Sequence, residues 1–271
     1  YDYKSSYYKL YSSIIEAFAK TMEGDIHTSN EILNNILLAY KTRAMDQVLL
    51  AWWNLVSIIN RVLLGQSKDL KVDLFELAAF ANNINEHFIK NIVKLILGYV
   101  LNKEGNNEKA EEIYQEQIVY FAKEKVAIGA LFAWALIVQK YLDDDDVEGA
   151  LNIANKSLEI AQDPKICNYF FIICFQKFIA KIYAKKGDFT ATKMYLEKSV
   201  IIAKQFNLKY QLIELYIDNA KYIQGFMKDK KIYSKENVEV VNDMYKKAVS
   251  LARELSLQNM IEYSTREYSG F

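Results

Sequence analysis

Leu97-Gly98-Tyr99-Val100-Leu101-Asn102-Lys103-Glu104-Gly105-Asn106-Asn107-Glu108-Lys109-Ala110-Glu111-Glu112-Ile113-Tyr114 is matched further along the chain by Ile179-Ala180-Lys181-Ile182-Tyr183-Ala184-Lys185-Lys186-Gly187-Asp188-Phe189-Thr190-Ala191-Thr192-Lys193-Met194-Tyr195-Leu196. Both stretches run apolar, small, two variable residues, apolar, then glycine. A small residue (Ala110, Thr192) follows each glycine, and a large apolar one (Tyr114, Leu196) comes one helical turn later. Apolar residues at helical spacing on both sides of a glycine describe two helices joined by a tight turn, and two copies describe a repeat.

The same frame returns at Trp134, Ile137 and Tyr141, where the acidic turn Asp143-Asp144-Asp145-Asp146 replaces the glycine and Ala150, Ala154 and Ser157 follow. Ala122, Ala161, Ala203 and Ala252 recur near the ends of successive second helices. Turn landmarks at Gly24, Gly65, Gly105, Asp145 and Gly187 are spaced about 40 residues apart. The pattern predicts helix pairs over 3–42, 44–84, 87–124, 126–162, 166–206 and 208–256, and a final helix from 258. Met227 to Asn237 reads as a polar insertion at the sixth turn, and Lys228-Asp229-Lys230-Lys231 within it as a solvated loop.

This pattern resembles the tetratricopeptide (TPR) repeat, in which a small residue in each helix lets the pair approach closely while aromatics fill the gap. The period here is longer than the roughly 34 residues of that repeat, and the proline that often closes it is missing. The resemblance implies an all-α, right-handed α-solenoid of about six antiparallel helix pairs in a single domain over 1–271. One amphipathic hairpin leaves an apolar stripe bare, and stacking the next hairpin covers it. In TPR proteins the first helices line a concave groove. Carried onto this chain, the groove-facing positions are Tyr99 and Asn102, Phe132 and Gln139, and Lys177 and Lys181. Trp52 and Trp53 are adjacent, so one narrow helical stripe does not easily bury both, and one of them is a further candidate for the groove.

Composition excludes several alternatives. One proline and nine glycines are too few to punctuate a β-sandwich or an α/β fold. Basic and acidic residues balance at 34 each, so no overall field draws the chain to nucleic acid or an anionic membrane. The longest apolar run, Val126 to Val138, falls short of the ~20 residues that span a bilayer. The two cysteines, Cys167 and Cys174, lie in an apolar stretch and read as buried small hydrophobes. With no export signal, the expected compartment is the cytoplasm. A start at Tyr1 without methionine points to a piece of a longer protein.

Chemistry is sparse. His27 and His87 are far apart and neither stands in a catalytic or zinc-binding motif. No glycine-rich phosphate loop occurs. The acidic run at Asp143 lacks the spacing of a calcium loop and reads as a cap for the helix beginning near Val147. Neither catalytic residues nor cofactors nor metals are therefore expected, and Trp134 and Tyr183 are assigned to packing.

The repeat style is similar to the C-terminal sensor arrays of MalT-like activators and related signal-transduction ATPases. That similarity implies a ligand- or protein-sensing module of a larger cytoplasmic signalling or transcription regulator, whose partner is a protein, a peptide or a small inducer. The alternative is a stand-alone TPR scaffold or chaperone holding a partner peptide in its groove. A nucleotide- or DNA-binding segment encoded alongside separates the two. The Tyr-rich Tyr1 to Tyr8 segment is a candidate for self-association through an array end.

Overall fold

The computed structural model describes residues 3–40, 45–66, 69–231 and 234–269. Among them lie thirteen α-helices and no strand: α1 (Tyr3–Glu23), α2 (Ile26–Tyr40), α3 (Gln47–Leu63), α4 (Leu70–Asn83), α5 (His87–Lys103), α6 (Asn107–Lys123), α7 (Ala127–Asp143), α8 (Val147–Gln162), α9 (Tyr169–Lys185), α10 (Phe189–Gln205), α11 (Lys209–Lys230), α12 (Lys235–Glu254) and α13 (Gln258–Ser269). These are the helix pairs expected from the repeat, with the thirteenth helix at the end. The link between the first two pairs, 41–44, lies outside the described residues, as do Tyr1 and Asp2 of the Tyr-rich opening.

The turns explain why the helices stop where they do. At Gly24, Gly105 and Gly187 the backbone is left-handed, with φ of 89°, 83° and 74°. In each case the next residue's N–H reaches back to the last helical turn: Asp25 to the Lys20 carbonyl (2.9 Å), Asn106 to Leu101 (2.9 Å) and Asp188 to Tyr183 (2.9 Å). That bond satisfies carbonyls the helix leaves open, and glycine adopts the required φ without steric cost. A carboxylate starts α2, α8 and α10. Asp25 accepts from the Thr28 N–H (3.2 Å), Asp146 from Gly149 (2.9 Å) and Asp188 from Ala191 (2.9 Å). The acidic run therefore caps α8, as its position predicts.

The helices form an all-α repeat array in two compact units, Tyr1–Asn106 with α1 to α5 and Asn107–Phe271 with α6 to α13. Within the first unit, α1 packs on α2 and α3, and α3 on α4 and α5. Within the second, α7 packs on α8 and α9, α9 on α10 and α11, and α12 on α11 and α13. First helices thus lie beside first helices, with the second helix of each pair behind them. The core of the second unit runs through Leu131, Val138, Ala150, Ala154, Phe175 and Ile179, with Trp134 and Tyr183 packed against it as expected.

Three expectations are corrected. The recurring small position at the end of each second helix is Phe121 in α6, and Ala122 is exposed. The turn bond identifies the equivalence: Phe121 accepts from Val126 as Ala203 does from Leu208 and Ala252 from Leu257. The larger ring fits because the facing residue of α7 is glycine. A Cβ on Gly129 would meet the Phe121 ring at 2.3 Å. Gly129→Ala is therefore expected to destabilise the second unit by about 1–3 kcal/mol, overriding the gain of up to ~1 kcal/mol in helix propensity. A urea midpoint at or above that of the unaltered chain would show that the ring moves aside.

The second correction concerns the sixth turn, where the polar insertion lengthens the helices. Met227 is fully buried and Phe226 packs edge-on against Phe189 with centroids 4.5 Å apart, which holds α11 helical to Lys230. Lys228 and Lys230 sit in its last turn, where cations suit the dipole. Residues 232–233 lie outside the described residues. Third, Cys167 is exposed in the loop before α9, because Asn168 caps that helix by accepting from the Phe171 N–H (3.2 Å). Only Cys174 lies on the helix, and it is half-buried.

Candidate functional site

The second unit contains a cleft of about 750 Å³ built on its first helices. Helix α9 contributes Cys174, Lys177, Phe178, Lys181 and Ala184, and α11 contributes Glu214, Ile217, Asp218, Lys221 and Tyr222. Both sets follow the three- and four-residue steps that keep side chains on one helical face. Gln139 of α7 stands at one side and Asn259, Met260 and Tyr263 of α13 at the other, while Thr192 and Leu196 of α10 close the floor.

Lys177 organises the centre. Its Nζ lies 2.6 Å from Glu214 Oε2 and 4.0 Å from Asp218 Oδ2, with side-chain exposures of 20%, 35% and 49% for the three residues. Burial by itself pulls the lysine pKa down, but the two carboxylate charges and the Glu214 hydrogen bond outweigh it and hold the pKa above the ordinary value. Lys177 is therefore a charged structural cation that ties α9 to α11. Burial pushes Asp218 up, against the opposing pull of Lys177, Lys181 and Lys221. At the rim, Lys221 Nζ bonds the Tyr263 hydroxyl and lies 3.4 Å from Glu267. The Cys174 thiol is pushed up to about 12 by burial, so it is protonated at neutral pH and a poor nucleophile.

Of the residues singled out from the sequence, the structure brings Gln139, Lys177 and Lys181 to this cleft. Gln139 donates to Asp143 (2.6 Å), one turn further along α7. Phe132, also on α7, packs against the core of the unit. The other four belong to the first unit. Trp52 stacks on Phe88 (5.6 Å, 26°) and the Trp53 Nε1–H donates to the Leu33 carbonyl (2.9 Å), both packed against the core around Leu10, Ile14 and Leu49. Tyr99 and Asn102 are half-buried on α5, with the Lys103 ammonium 5.6 Å from the Tyr99 ring. His27 is exposed and lies 3.6 Å from Glu31, and His87 is exposed at the first turn of α5.

The acidic half of the cleft escaped the sequence reading. Glu214, Asp218 and Lys221 form a polar stripe on the next first helix in the series, so extending the same frame by one repeat reaches them. Tyr263 carries no such signal, since α13 stands alone after the last pair.

No group of three His, Cys, Asp or Glu placed to hold a metal occurs among the described residues, and no described helix is long and apolar enough to cross a membrane. No family model matches the chain, and no curated protein does. Among solved structures, a chain described as "Crystal Structure of Rap Protein Complexed with Competence and Sporulation Factor" is similar over 97% of this chain and 97% of that one, at 10% identity and a TM-score of 0.45. The helical-repeat architecture rests on the helices and turns described above.

Proposed function

We propose that this chain is a non-catalytic binding module whose ligand, a peptide or a polar small molecule, seats in the cleft of the second unit. The observation that carries the reading is the cleft itself. Charged groups of both signs converge beside Phe178, Ile217 and Tyr263, in a volume within the range of roughly 300–1,000 Å³ typical of small-ligand sites. Convergent polar groups on an apolar wall fix a ligand's orientation. Neither Lys177, held charged, nor Cys174, held protonated, is in the state of a nucleophile at neutral pH. In our reading the module is the sensing part of a larger cytoplasmic signalling or transcription regulator, in which an occupied cleft changes how the array meets its partner.

Ala184→Trp tests the site without touching its charges, because Ala184 lines the cleft from the last turn of α9. A ligand at a hundred times its Kd stabilises the folded state by about 2.7 kcal/mol. Peptide and metabolite fractions of a cell extract are therefore expected to raise the Tm of the unaltered chain by several degrees and leave the variant's Tm unmoved. Equal shifts in both proteins would place binding elsewhere, and no shift with any fraction would remove the reading.

A further inference from the structure

We propose that the cleft selects a dipolar peptide segment, one that sets a carboxylate against Lys181 and an ammonium or guanidinium against Asp218. This rests on the binding reading above and names the ligand's chemistry.

Four of the ionic groups are arranged as two rungs between neighbouring helices. Lys177 and Glu214 form the first rung, closed by a hydrogen bond of 2.6 Å. One helical turn further along each helix stand Lys181 on α9 and Asp218 on α11. This second rung is open. Lys181 is exposed and makes no ion pair or hydrogen bond among the described residues, although its charge is felt at Asp218. Asp218 is half-exposed, accepts no hydrogen bond among the described residues, and reaches only Lys177 at 4.0 Å. The remaining cation, Lys221, is already engaged by Tyr263 and Glu267.

Counting Glu267, the lysines and carboxylates of the cleft balance, so no net field prefers an acidic or a basic ligand. Selection falls to the arrangement. A purely acidic peptide meeting Lys181 also meets the Asp218 carboxylate, and a purely basic one meeting Asp218 also meets Lys181. Like charges brought together out of bulk water cost free energy. A segment carrying both signs completes the rung and meets neither penalty. Phe178 and Tyr263 offer it apolar wall on either side.

The test uses the full chain and short fluorescein-labelled peptide pools with amidated C-termini on a common Ala/Leu/Tyr framework. One pool carries adjacent Glu and Lys, one Glu only, one Lys only and one neither. By anisotropy the mixed pool is expected to bind about tenfold or more tighter than each of the others. Lys181→Glu, which faces solvent and leaves the first rung intact, is expected to weaken the mixed pool by about tenfold and make the Lys-only pool the best ligand. Lys181→Gln is expected to lose the preference for the mixed pool over the Lys-only pool. A single-charge or uncharged pool binding as tightly as the mixed one, or a preference unmoved by both variants, overturns the inference while leaving the binding module in place. Binding of no pool at all also overturns the inference, and the binding module itself is then judged by the Tm shift with extract fractions.

Discussion

Phe175→Ala is expected to cost the second unit about 3–5 kcal/mol, the range for truncating a fully buried aromatic side chain. Phe175 has no exposed surface and lies between Phe171 and Phe178, each with its ring centroid 6.3 Å away. It joins residues of α7, α8 and α9 in one core, so the cavity left behind has three rigid helices around it and little means of collapsing. The effect reaches the cleft because Phe178, which rests on Phe175, is one of its walls and Lys177 is its neighbour in the chain. In an array each hairpin is held mainly by its neighbours, so the loss should appear first as faster amide exchange in α7 to α10. Urea unfolding followed by circular dichroism gives the magnitude. A loss below ~1 kcal/mol would mean that the surrounding helices close the gap.

Asn60→Ala is expected to cost the first unit about 2–3 kcal/mol. Asn60 is buried on α3. Its Oδ1 accepts from the Thr21 hydroxyl of α1 (2.6 Å), and its Nδ2 donates to Ser29 (2.9 Å) and Asn30 (2.8 Å) of α2. Thr21 and Ser29 are themselves 2.9 Å apart, and both are buried. Three helices therefore meet on one amide, and truncating it removes three buried or part-buried hydrogen bonds at once, leaving Thr21 only the Ala17 carbonyl (3.0 Å) and Ser29. The Thr21→Ala and Asn60→Ala pair provides the decisive measurement. A coupling of 0.5 kcal/mol or more in a double-mutant cycle is expected for groups in one network, roughly the lower bound for such pairs. Strict additivity would show that the network is an incidental proximity. Asn60→Leu is expected to fail as well, since added apolar volume replaces none of the three hydrogen bonds that Asn60 makes.

The two substitutions also separate what holds the units. The second unit depends on aromatic and aliphatic fill around Phe175. The first adds a buried polar tie at Asn60, which specifies how α1, α2 and α3 meet, because a rotated helix would lose several hydrogen bonds at once.

How much of this was legible beforehand follows from how local each feature is. Helix limits depend on a turn residue and the carboxylate or amide beside it, within a few positions along the chain. Gly105, Gly187 and the Asp143 to Asp146 run therefore announced the hairpins, and the spacing of the turns announced an all-α repeat. Ala122 was misplaced by one position because only the turn bond at Phe121 reveals which residue faces α7, and Phe121 is tolerated there only because Gly129 lacks a Cβ. That is a relation between helices. The same holds for the cleft. Lys177 and Lys181 could be placed on a groove face by the TPR resemblance, but the pairing of Lys177 with Glu214, and the missing partner that leaves Lys181 and Asp218 open, depend on the rotation and spacing of α9 against α11. The sequence by itself thus determined the repeat and its turns, because capping and amphipathic periodicity act over a few residues. Only the tertiary structure decided which charges meet and which stay unpaired, because ion pairing depends on ångström-scale distances between helices that side-chain packing sets.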